Sequence, residues 1–265
     1  MSPPTQTPPA TPGLNVIALI SGGKDSLYSI LHCIRNGHKV VALANLYPST
    51  SKGAGSTAAK DNHEHEHPKQ EDEDEEKEDI DSFMYQTIGH SVIPLYEAAL
   101  GIPLYRAPIT GDAVDTSRIY RHNAADQMAD EPESSTEENK QHLQDETESL
   151  VPLLRRIQAA HPEANAVSAG AILSTYQRTR IENVASRLGL VPLAWLWQYP
   201  ALPAPAERSA LSAVSSVVGD AGLLEDMAAC GCEARIIKVA SGGLDEGFLW
   251  GDVSSADGAL RRRIV

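Results

Sequence analysis

Cysteine and long apolar runs are both scarce in this sequence. Its 265 residues include three cysteines, Cys33, Cys230 and Cys232, which are too few for a disulfide framework. The C-x-C pair does not by itself predict a zinc site, because such sites normally need four ligands. No run of about 18 apolar residues occurs, and the opening segment MSPPTQTPPATPG lacks the apolar centre of a signal peptide. We therefore expect a cytoplasmic protein with reduced cysteines and no membrane partner.

Basic residues are outnumbered, but the imbalance is local. The formal net charge is −14, while residues 61–81 carry −10 and residues 126–148 carry −8, so the rest of the chain is at +4. Both acidic segments are poor in apolar residues and cannot bury enough surface to offset the entropy of ordering. We predict disordered insertions at about residues 48–80 and 122–148, and a disordered tail at residues 1–13. The mildly basic remainder suits an anionic ligand.

Strands and helices alternate once the insertions are set aside. Apolar runs predict strands at residues 14–20, 40–46, 103–109, 166–173 and 191–197. Helical spacing of apolar residues predicts helices at residues 26–36, 86–100, 150–160 and 175–188. This alternation indicates an α/β fold with a parallel sheet and helices on both faces. A mostly helical stretch at residues 207–229 and a strand at 233–240 predict a small C-terminal α+β region, residues 199–265.

The segment SGGKDS, residues 21–26, follows the first predicted strand and leads into the first predicted helix. Gly22 and Gly23 allow the backbone to approach a ligand closely, and N–H groups at a helix start attract anions. Lys24 adds a positive charge, and the two serine hydroxyls add donors. Asp25 would repel a phosphate unless it caps the helix or holds Mg²⁺. We predict a phosphate site rather than a plain strand–turn–helix connection.

The spacing of this loop differs from that of kinases and GTPases. Their phosphate loop reads G-x-x-x-x-G-K-[ST], and residue 18 is alanine where the first glycine would be required. The pattern therefore disfavours transfer of a γ-phosphate. SGGKDS instead resembles the PP-loop of the ATP pyrophosphatase superfamily. That resemblance implies that the loop holds the pyrophosphate part of ATP, with Mg²⁺, while the α-phosphate is attacked.

Two longer strings narrow the resemblance. DSFMYQTIGHSVIPLYEAALGIPLYRAPITG occupies residues 81–111, and GAILSTYQRTRIENVASRLGLVPLAWLWQ occupies residues 170–198. Together with SGGKDS they resemble the diphthine–ammonia ligase family, over residues 15–252 without the acidic insertions. The resemblance implies a Rossmann-like PP-loop (HUP) domain at residues 14–198. It also implies that ATP adenylates diphthine on elongation factor 2 and that ammonia then forms the amide diphthamide, with release of AMP and pyrophosphate.

The resemblance also assigns candidate site residues. The candidates for ATP binding are Ser21, Gly22, Gly23, Lys24, Asp25, Ser26 and Gly170, with Asp25 also a Mg²⁺ ligand. The catalytic candidates are Lys24, Asp25 and Arg178, and the acceptor-side candidates are Tyr85, Gln86, His90, Tyr176 and Arg180. Arg178 and Arg180 point to different faces of a helix, so one could meet a phosphate while the other pairs with Glu182. His90 could act as an acid or base, or be a structural residue.

One departure and two alternatives remain at this stage. The resemblance leads us to expect a G-E-G-G-x-x-E-T string, but the sequence ends at ALRRRIV without it. We therefore expect a C-terminally shortened chain, with residues 199–265 an incomplete substrate-side domain. One alternative is a PP-loop enzyme that modifies tRNA, which would show a broad basic surface or catalytic cysteines. The other is a non-catalytic interaction module whose acidic insertions bind a basic partner. Under the leading interpretation we expect no direct nucleic-acid contact.

Overall fold

Five parallel strands form the centre of the molecule. The computed structural model describes residues 13–48, 85, 89–120, 145–198, 222–239, 243–255 and 258–264. The strands are β1 (Asn15–Leu19), β2 (Lys39–Tyr47), β3 (Leu104–Pro108), β4 (Ala166–Ser168) and β5 (Val191–Leu193). They lie in the order β3-β2-β1-β4-β5, and every neighbouring pair is parallel. The predicted α/β class with a parallel sheet is confirmed.

Four helices lie between consecutive strands along the chain: α1 (Lys24–Arg35), α2 (Leu95–Leu100), α3 (Leu150–Ala160) and α4 (Thr175–Arg187). Two more, α5 (Gly222–Ala229) and α6 (Arg261–Ile264), follow the last strand. Short 3₁₀ helices occupy His90–Val92, Glu146–Ser149, Trp195–Gln198 and Glu246–Phe248. No helix among the described residues is long and apolar enough to cross a membrane.

Alternation along β1 produces a core on each face of the sheet. Val16 and Ala18 belong to one buried cluster, which includes Ile30 of α1. Ile17 belongs to the other, which includes Ile157 of α3 and Val184 of α4. Successive residues of a strand point to opposite faces, so a continuously apolar strand needs helices on both sides. The prediction of helices on both faces is confirmed.

Several predicted element boundaries are wrong, for local reasons. The helix predicted to begin at residue 86 begins at Leu95, with Pro94 at its N-cap, since proline has no N–H and is tolerated only where a helix starts. The strands predicted to reach residues 173 and 197 end at Ser168 and Leu193. Their apolar continuations line a cleft or form a 3₁₀ turn, because an apolar run reports burial and not extended backbone.

The C-terminal prediction is only partly comparable with the structure. The strand expected at residues 233–240 is reduced, among the described residues, to one antiparallel bridge between Arg235 and Asp252. Trp250 has a φ of 62°, which extended pairing cannot continue through. Of the predicted helix, only Gly222–Ala229 is described. The tail at residues 1–12, most of both acidic insertions and residues 199–221 lie outside the described residues.

The predicted end of the second insertion is also wrong. Residues 145–148 were expected to be disordered, but Glu146–Ser149 forms a buried 3₁₀ helix in which Thr147 is 0% exposed. Asp145 caps this turn by accepting a hydrogen bond from the Thr147 N–H at 2.9 Å. Glu148 is 5% exposed and pairs with Arg187 at 2.6 Å. Polar pairing thus orders a segment that lacks apolar residues.

Candidate active site

A cleft of about 250 Å³ opens at the carboxyl edge of the sheet. Its walls come from the segment after β1, the end of β2, and residues 169–172 after β4. The strand order reverses between β1 and β4, and ligands of open parallel sheets bind at that reversal, outside the carboxyl ends of the strands. Of the predicted residues, the structure brings Ser21, Gly23, Asp25, Ser26, Gly170 and Tyr85 together along this cleft.

The loop at residues 21–26 is braced by its own polar groups. The Ser26 hydroxyl donates to the Gly23 carbonyl at 2.9 Å and accepts from the Ser21 N–H at 3.3 Å. Gly22 has a φ of 78°, and a Cβ there would lie 3.0 Å from Ile93 Cδ1. The Tyr96 hydroxyl donates to the Gly22 carbonyl at 3.4 Å. Ile93 and Tyr96 therefore pack against the loop and hold it in its bent form. Glycine is required at position 22 because of its positive φ.

The amino end of α1 is left without a side-chain cap. Gly23 is its N-cap residue and has no side chain to cap the first N–H groups of the helix, while its own N–H donates to the Ser21 hydroxyl at 3.4 Å. By contrast, Ser174 caps α4 and accepts from the Gln177 N–H at 3.2 Å. The first N–H groups of a helix have no partner within the helix, and its dipole makes this end positive. The start of α1 is thus an open donor set at the cleft, suited to an anion such as phosphate.

Asp25 does not cap α1, so that part of its predicted role is wrong. It is the second residue of the helix, and its Oδ1 lies 2.7 Å from the Lys24 Nζ, with both side chains about one third exposed. Asp25 lines the cleft, whereas Lys24 lies beside it. No group of three or more metal-ligating side chains occurs among the described residues. Mg²⁺ often takes one carboxylate together with substrate phosphates, so Asp25 alone fits that use, and its metal role stays a prediction.

Gly170 makes the closest contact in the cleft. A Cβ on this residue would lie 2.6 Å from the Ser26 nitrogen and 2.7 Å from the Asp25 carbonyl carbon. Both are backbone atoms in the first turn of α1, which cannot give way as a flexible side chain would. The absence of a side chain therefore allows the segment after β4 to pack directly against the loop at residues 21–26. The strand itself ends at Ser168, two residues before Gly170.

Gly170→Ala should therefore weaken nucleotide binding by about tenfold or more. The added methyl group forces the start of α1 to shift, and overpacking of this kind typically costs about 1–3 kcal/mol. Isothermal titration with ATP measures the change. Gly189→Ala is the matched control: Gly189 has a φ of 68° and open space around its Cβ position, away from the cleft. That control should lose stability without losing ATP affinity, and equal affinity loss in both variants would contradict the role of Gly170.

Asn45 and Arg106 are joined by a hydrogen bond. The sequence motifs did not identify Asn45 as a residue of the site. Asn45 is 3% exposed, lines the cleft, and donates from Nδ2 to the Ile20 carbonyl at 2.9 Å. Its Oδ1 accepts from Arg106 Nε at 3.0 Å, and the guanidinium lies 4.7 Å from the Tyr47 ring centre. Ile20 immediately precedes the phosphate loop, so this link fixes where the loop begins. The available signal was an asparagine inside the apolar run VVALANLY.

The two arginines after the second string have different surroundings. Arg180 is fully buried and donates to the carbonyls of Ser117 and Tyr176, each at 3.2 Å. Arg180 was predicted to lie on the side of the site that meets the acceptor substrate. Its buried contacts give it a structural role instead. Arg178 Nε lies 2.9 Å from Glu182, and its guanidinium stacks 3.8 Å from the centre of the Trp197 ring. Arg178 does not line the cleft, and its catalytic role stays a prediction.

The acceptor-side candidates are not all at the cleft. Tyr85 is there, with its hydroxyl 3.5 Å from the Glu146 carbonyl, and burial and the nearby acidic side chains hold its pKa well above the usual range. Tyr176 instead faces Arg180, whose guanidinium lies 3.3 Å from its ring centre. Gln86 lies outside the described residues. His90 begins the 3₁₀ helix at residues 90–92.

Gln177 is a cleft residue that the motif reading missed. It directly follows Tyr176 in the same string, but consecutive helical residues point in directions about 100° apart. Its N–H is the group that Ser174 caps, at 3.2 Å, so its backbone position is defined. The residue at which α4 starts determines the direction of each later side chain. It therefore determines whether Tyr176 or Gln177 faces the cleft.

Comparison with known proteins finds relatives of one kind among the curated sequences. The chain is 39% identical over 231 residues to the diphthine–ammonia ligase of Schizosaccharomyces pombe, which covers 87% of this chain and 28% of that protein. It is 38% identical over 232 residues to the Rattus norvegicus diphthine–ammonia ligase and 37% identical to that of Homo sapiens, covering 88% of this chain and 64% of each. No family model matches the chain. The chain therefore spans between about one quarter and two thirds of the length of these relatives.

Proposed function

Because this chain belongs to the diphthine–ammonia ligase family, we propose that it is the ATP-binding and carboxylate-activating part of such an enzyme. The observation that carries the proposal is the uncapped start of α1 at the cleft, with the braced loop at residues 21–26 and the close support from Gly170. The proposed substrates are ATP, ammonium and elongation factor 2 bearing diphthine. The proposed location is the cytoplasm.

The loop would hold the pyrophosphate part of ATP. The N–H groups at the start of α1 and the Lys24 ammonium are placed to stabilise the negative charge that grows on the leaving pyrophosphate. A Mg²⁺ ion held by Asp25 would neutralise further phosphate charge. Lys24 would then exchange its present contact with Asp25 for one with a phosphate oxygen. In this exchange the carboxylate becomes free to bind the metal.

The reaction divides into two displacements. A carboxylate oxygen of diphthine bonds to the α-phosphorus, and the bond from that phosphorus to pyrophosphate breaks. Ammonia then bonds to the activated carbonyl carbon, AMP leaves with the electrons of the C–O bond, and the nitrogen loses a proton. The acyl-adenylate would be hydrolysed by water, so exclusion of water matters. The apolar part of the cleft wall, which includes Leu19, Leu46 and Ile181, serves this purpose.

The test uses the purified chain with ATP, Mg²⁺, ammonium and diphthine-bearing elongation factor 2. We expect AMP and pyrophosphate to form in equal amounts with the new amide, measured by nucleotide chromatography and mass spectrometry of the factor. Elongation factor 2 without diphthine is the control and should give no AMP above background. Release of ADP would overturn attack at the α-phosphate. ATP binding without amide formation would overturn the ligase proposal for this chain while leaving nucleotide binding in place.

No observation favours the tRNA-modifying alternative. Catalytic cysteines were one of the two features expected of such an enzyme. Among the described residues that line the cleft there is no cysteine, and Cys33 is buried at 4% exposure within the core. The described site therefore supports carboxylate activation better than sulfur transfer.

A further inference from the structure

The two C-terminal cysteines lie at a sharply defined helix end. Cys230 follows α5, and Gly231 has a φ of 75°. The Gly231 N–H donates to the Ala228 carbonyl at 2.9 Å, and the Cys232 N–H donates to the Met227 carbonyl at 3.0 Å. This pair of bonds is the Schellman arrangement, which places Cys230 and Cys232 on either side of a left-handed residue. The positions of both cysteines are thus determined by backbone hydrogen bonds.

The left-handed turn at Gly231 shortens the chain between the two cysteines. Consecutive Cα atoms are about 3.8 Å apart, so a bent three-residue segment places its outer Cα atoms within the span of about 4.4–6.8 Å that disulfides use. Both side chains are half-buried, so small oxidants can reach them. Cys33, the third cysteine, is buried within the core and out of reach. The chain thus has one accessible pair and one protected thiol.

A positively charged side chain contacts the sulfur of Cys230. The guanidinium of Arg35, the last residue of α1, donates to Cys230 Sγ. A neighbouring guanidinium favours the thiolate form, which is the nucleophilic form of cysteine. Burial raises the pKa of the Cys232 thiol, the neighbouring Cys230 raises it further, and the charge of Arg35 lowers it by less. The two thiols therefore have unequal surroundings, because the Arg35 guanidinium donates to the sulfur of Cys230 while burial dominates at Cys232.

We propose that Cys230 and Cys232 form a redox-active dithiol that reacts with hydroperoxides, with Cys230 as the attacking thiolate and Cys232 as the resolving thiol. The cluster lies outside the ATP cleft, and neither cysteine lines it. The inference therefore stands independently of the proposed ligase activity. It also explains why two cysteines occur together in a chain that has three in all.

The chemistry balances with the peroxide as the oxidant. The Cys230 sulfur bonds to one peroxide oxygen, the O–O bond breaks, and the departing hydroxide takes a proton to become water, leaving a sulfenic acid. The Cys232 sulfur then bonds to the Cys230 sulfur and the S–O bond breaks. The leaving hydroxide takes the Cys232 proton and departs as a second water. The dithiol loses two electrons, the peroxide gains them, and a thiol reductant reverses the disulfide by exchange.

The experiment treats the purified full chain with hydrogen peroxide and follows it by intact-mass and peptide mass spectrometry. The expected product has lost two hydrogens, with Cys230 linked to Cys232 and Cys33 still a thiol. Cys232→Ser should instead accumulate a Cys230 sulfenic acid that dimedone traps, while Cys230→Ser should form neither product. Arg35→Gln should slow oxidation of Cys230 by about tenfold, because it removes the cation that contacts the attacking sulfur.

Three outcomes would overturn the proposal. They are oxidation of Cys33 before the pair, a disulfide that joins two chains in place of the internal one, and an unchanged rate in Arg35→Gln. Circular dichroism before and after treatment, together with the Cys33→Ser variant, shows whether the chain stays folded. If Arg35→Gln does not fold, Arg35→Lys is used in its place. In that variant Cys230 should still be oxidised faster than Cys33.

Discussion

Replacing Lys24 with alanine should lower the rate of AMP and pyrophosphate formation by about 10²–10³-fold, the range seen when one preorganised charge-stabilising group is removed. The physical reason is the position of its ammonium. It lies 2.7 Å from the Asp25 carboxylate, and Asp25 lines the cleft at the uncapped start of α1. Within residues 21–35, Lys24 is the single lysine.

The same variant should leave folding nearly unchanged. The Lys24 side chain is 38% exposed, and exposed ion pairs contribute at most about 1 kcal/mol to stability. Initial rates with ATP and Mg²⁺ give the effect on catalysis, and thermal unfolding gives the effect on stability. A large loss of both would point to misfolding and contradict the assignment, as would full activity with normal folding.

A matched lysine controls for the loss of charge. Lys39 is exposed and begins β2, at the edge of the sheet opposite the cleft. Lys39→Ala removes the same charge and should keep the normal rate. Lys24→Arg should keep part of the activity, because it keeps the charge but changes the reach and shape of the donor. The order of rates expected is therefore Lys39→Ala, then Lys24→Arg, then Lys24→Ala.

The part of the site predicted best from the sequence is the part with local causes. The first strand, loop and helix were predicted within two residues of Asn15–Leu19 and Lys24–Arg35, because an apolar run, adjacent glycines and helical spacing all lie in one short stretch. Gly170 was also predicted to line the cleft. Its physical reason, contact with the backbone of Ser26, became visible only once two segments 144 residues apart were placed together.

Prediction failed where a residue's role depends on distant polar partners. Asn45 connects Ile20 to Arg106, and neither connection follows from the pattern of β2. Arg180 was predicted to lie on the acceptor side, but it is fully buried and donates to the Ser117 carbonyl. The acidic composition of residues 145–148 predicted disorder because that argument counts apolar residues. It does not count a carboxylate held by buried hydrogen bonds.

The last case leads to the largest stability effect that we expect. Arg187→Ala should lower the free energy of unfolding by about 3 kcal/mol, the lower end of the range for removing one partner of a buried ion pair. Glu148 is 5% exposed and accepts from Arg187 Nη1 at 2.8 Å and from Nη2 at 2.6 Å. The lower end applies because Arg187 itself is 29% exposed. Urea unfolding followed by circular dichroism measures the change.

Two further variants separate the buried charge from the loss of a side chain. Glu182→Gln breaks an exposed pair on the same helix α4 and should cost about 0.5 kcal/mol or less. The double variant Glu148→Gln with Arg187→Ala should be more stable than Arg187→Ala alone, because it removes the charge left inside the protein. If Arg187→Ala unfolds like the wild type, or if the double variant is the least stable, the ion pair does not order this segment.

Arg187→Ala should also affect the wall of the cleft. Glu148 belongs to the 3₁₀ helix Glu146–Ser149, and the carbonyl of Glu146 receives the hydroxyl of the cleft residue Tyr85 at 3.5 Å. Loss of the Arg187 pair loosens that turn and with it the wall that Tyr85 forms. Arg187→Ala should therefore weaken ATP binding at temperatures where the chain is still folded, whereas Glu182→Gln should not. Titration calorimetry below the unfolding transition decides this, and equal affinities in the two variants would show that the turn stabilises the fold without shaping the site.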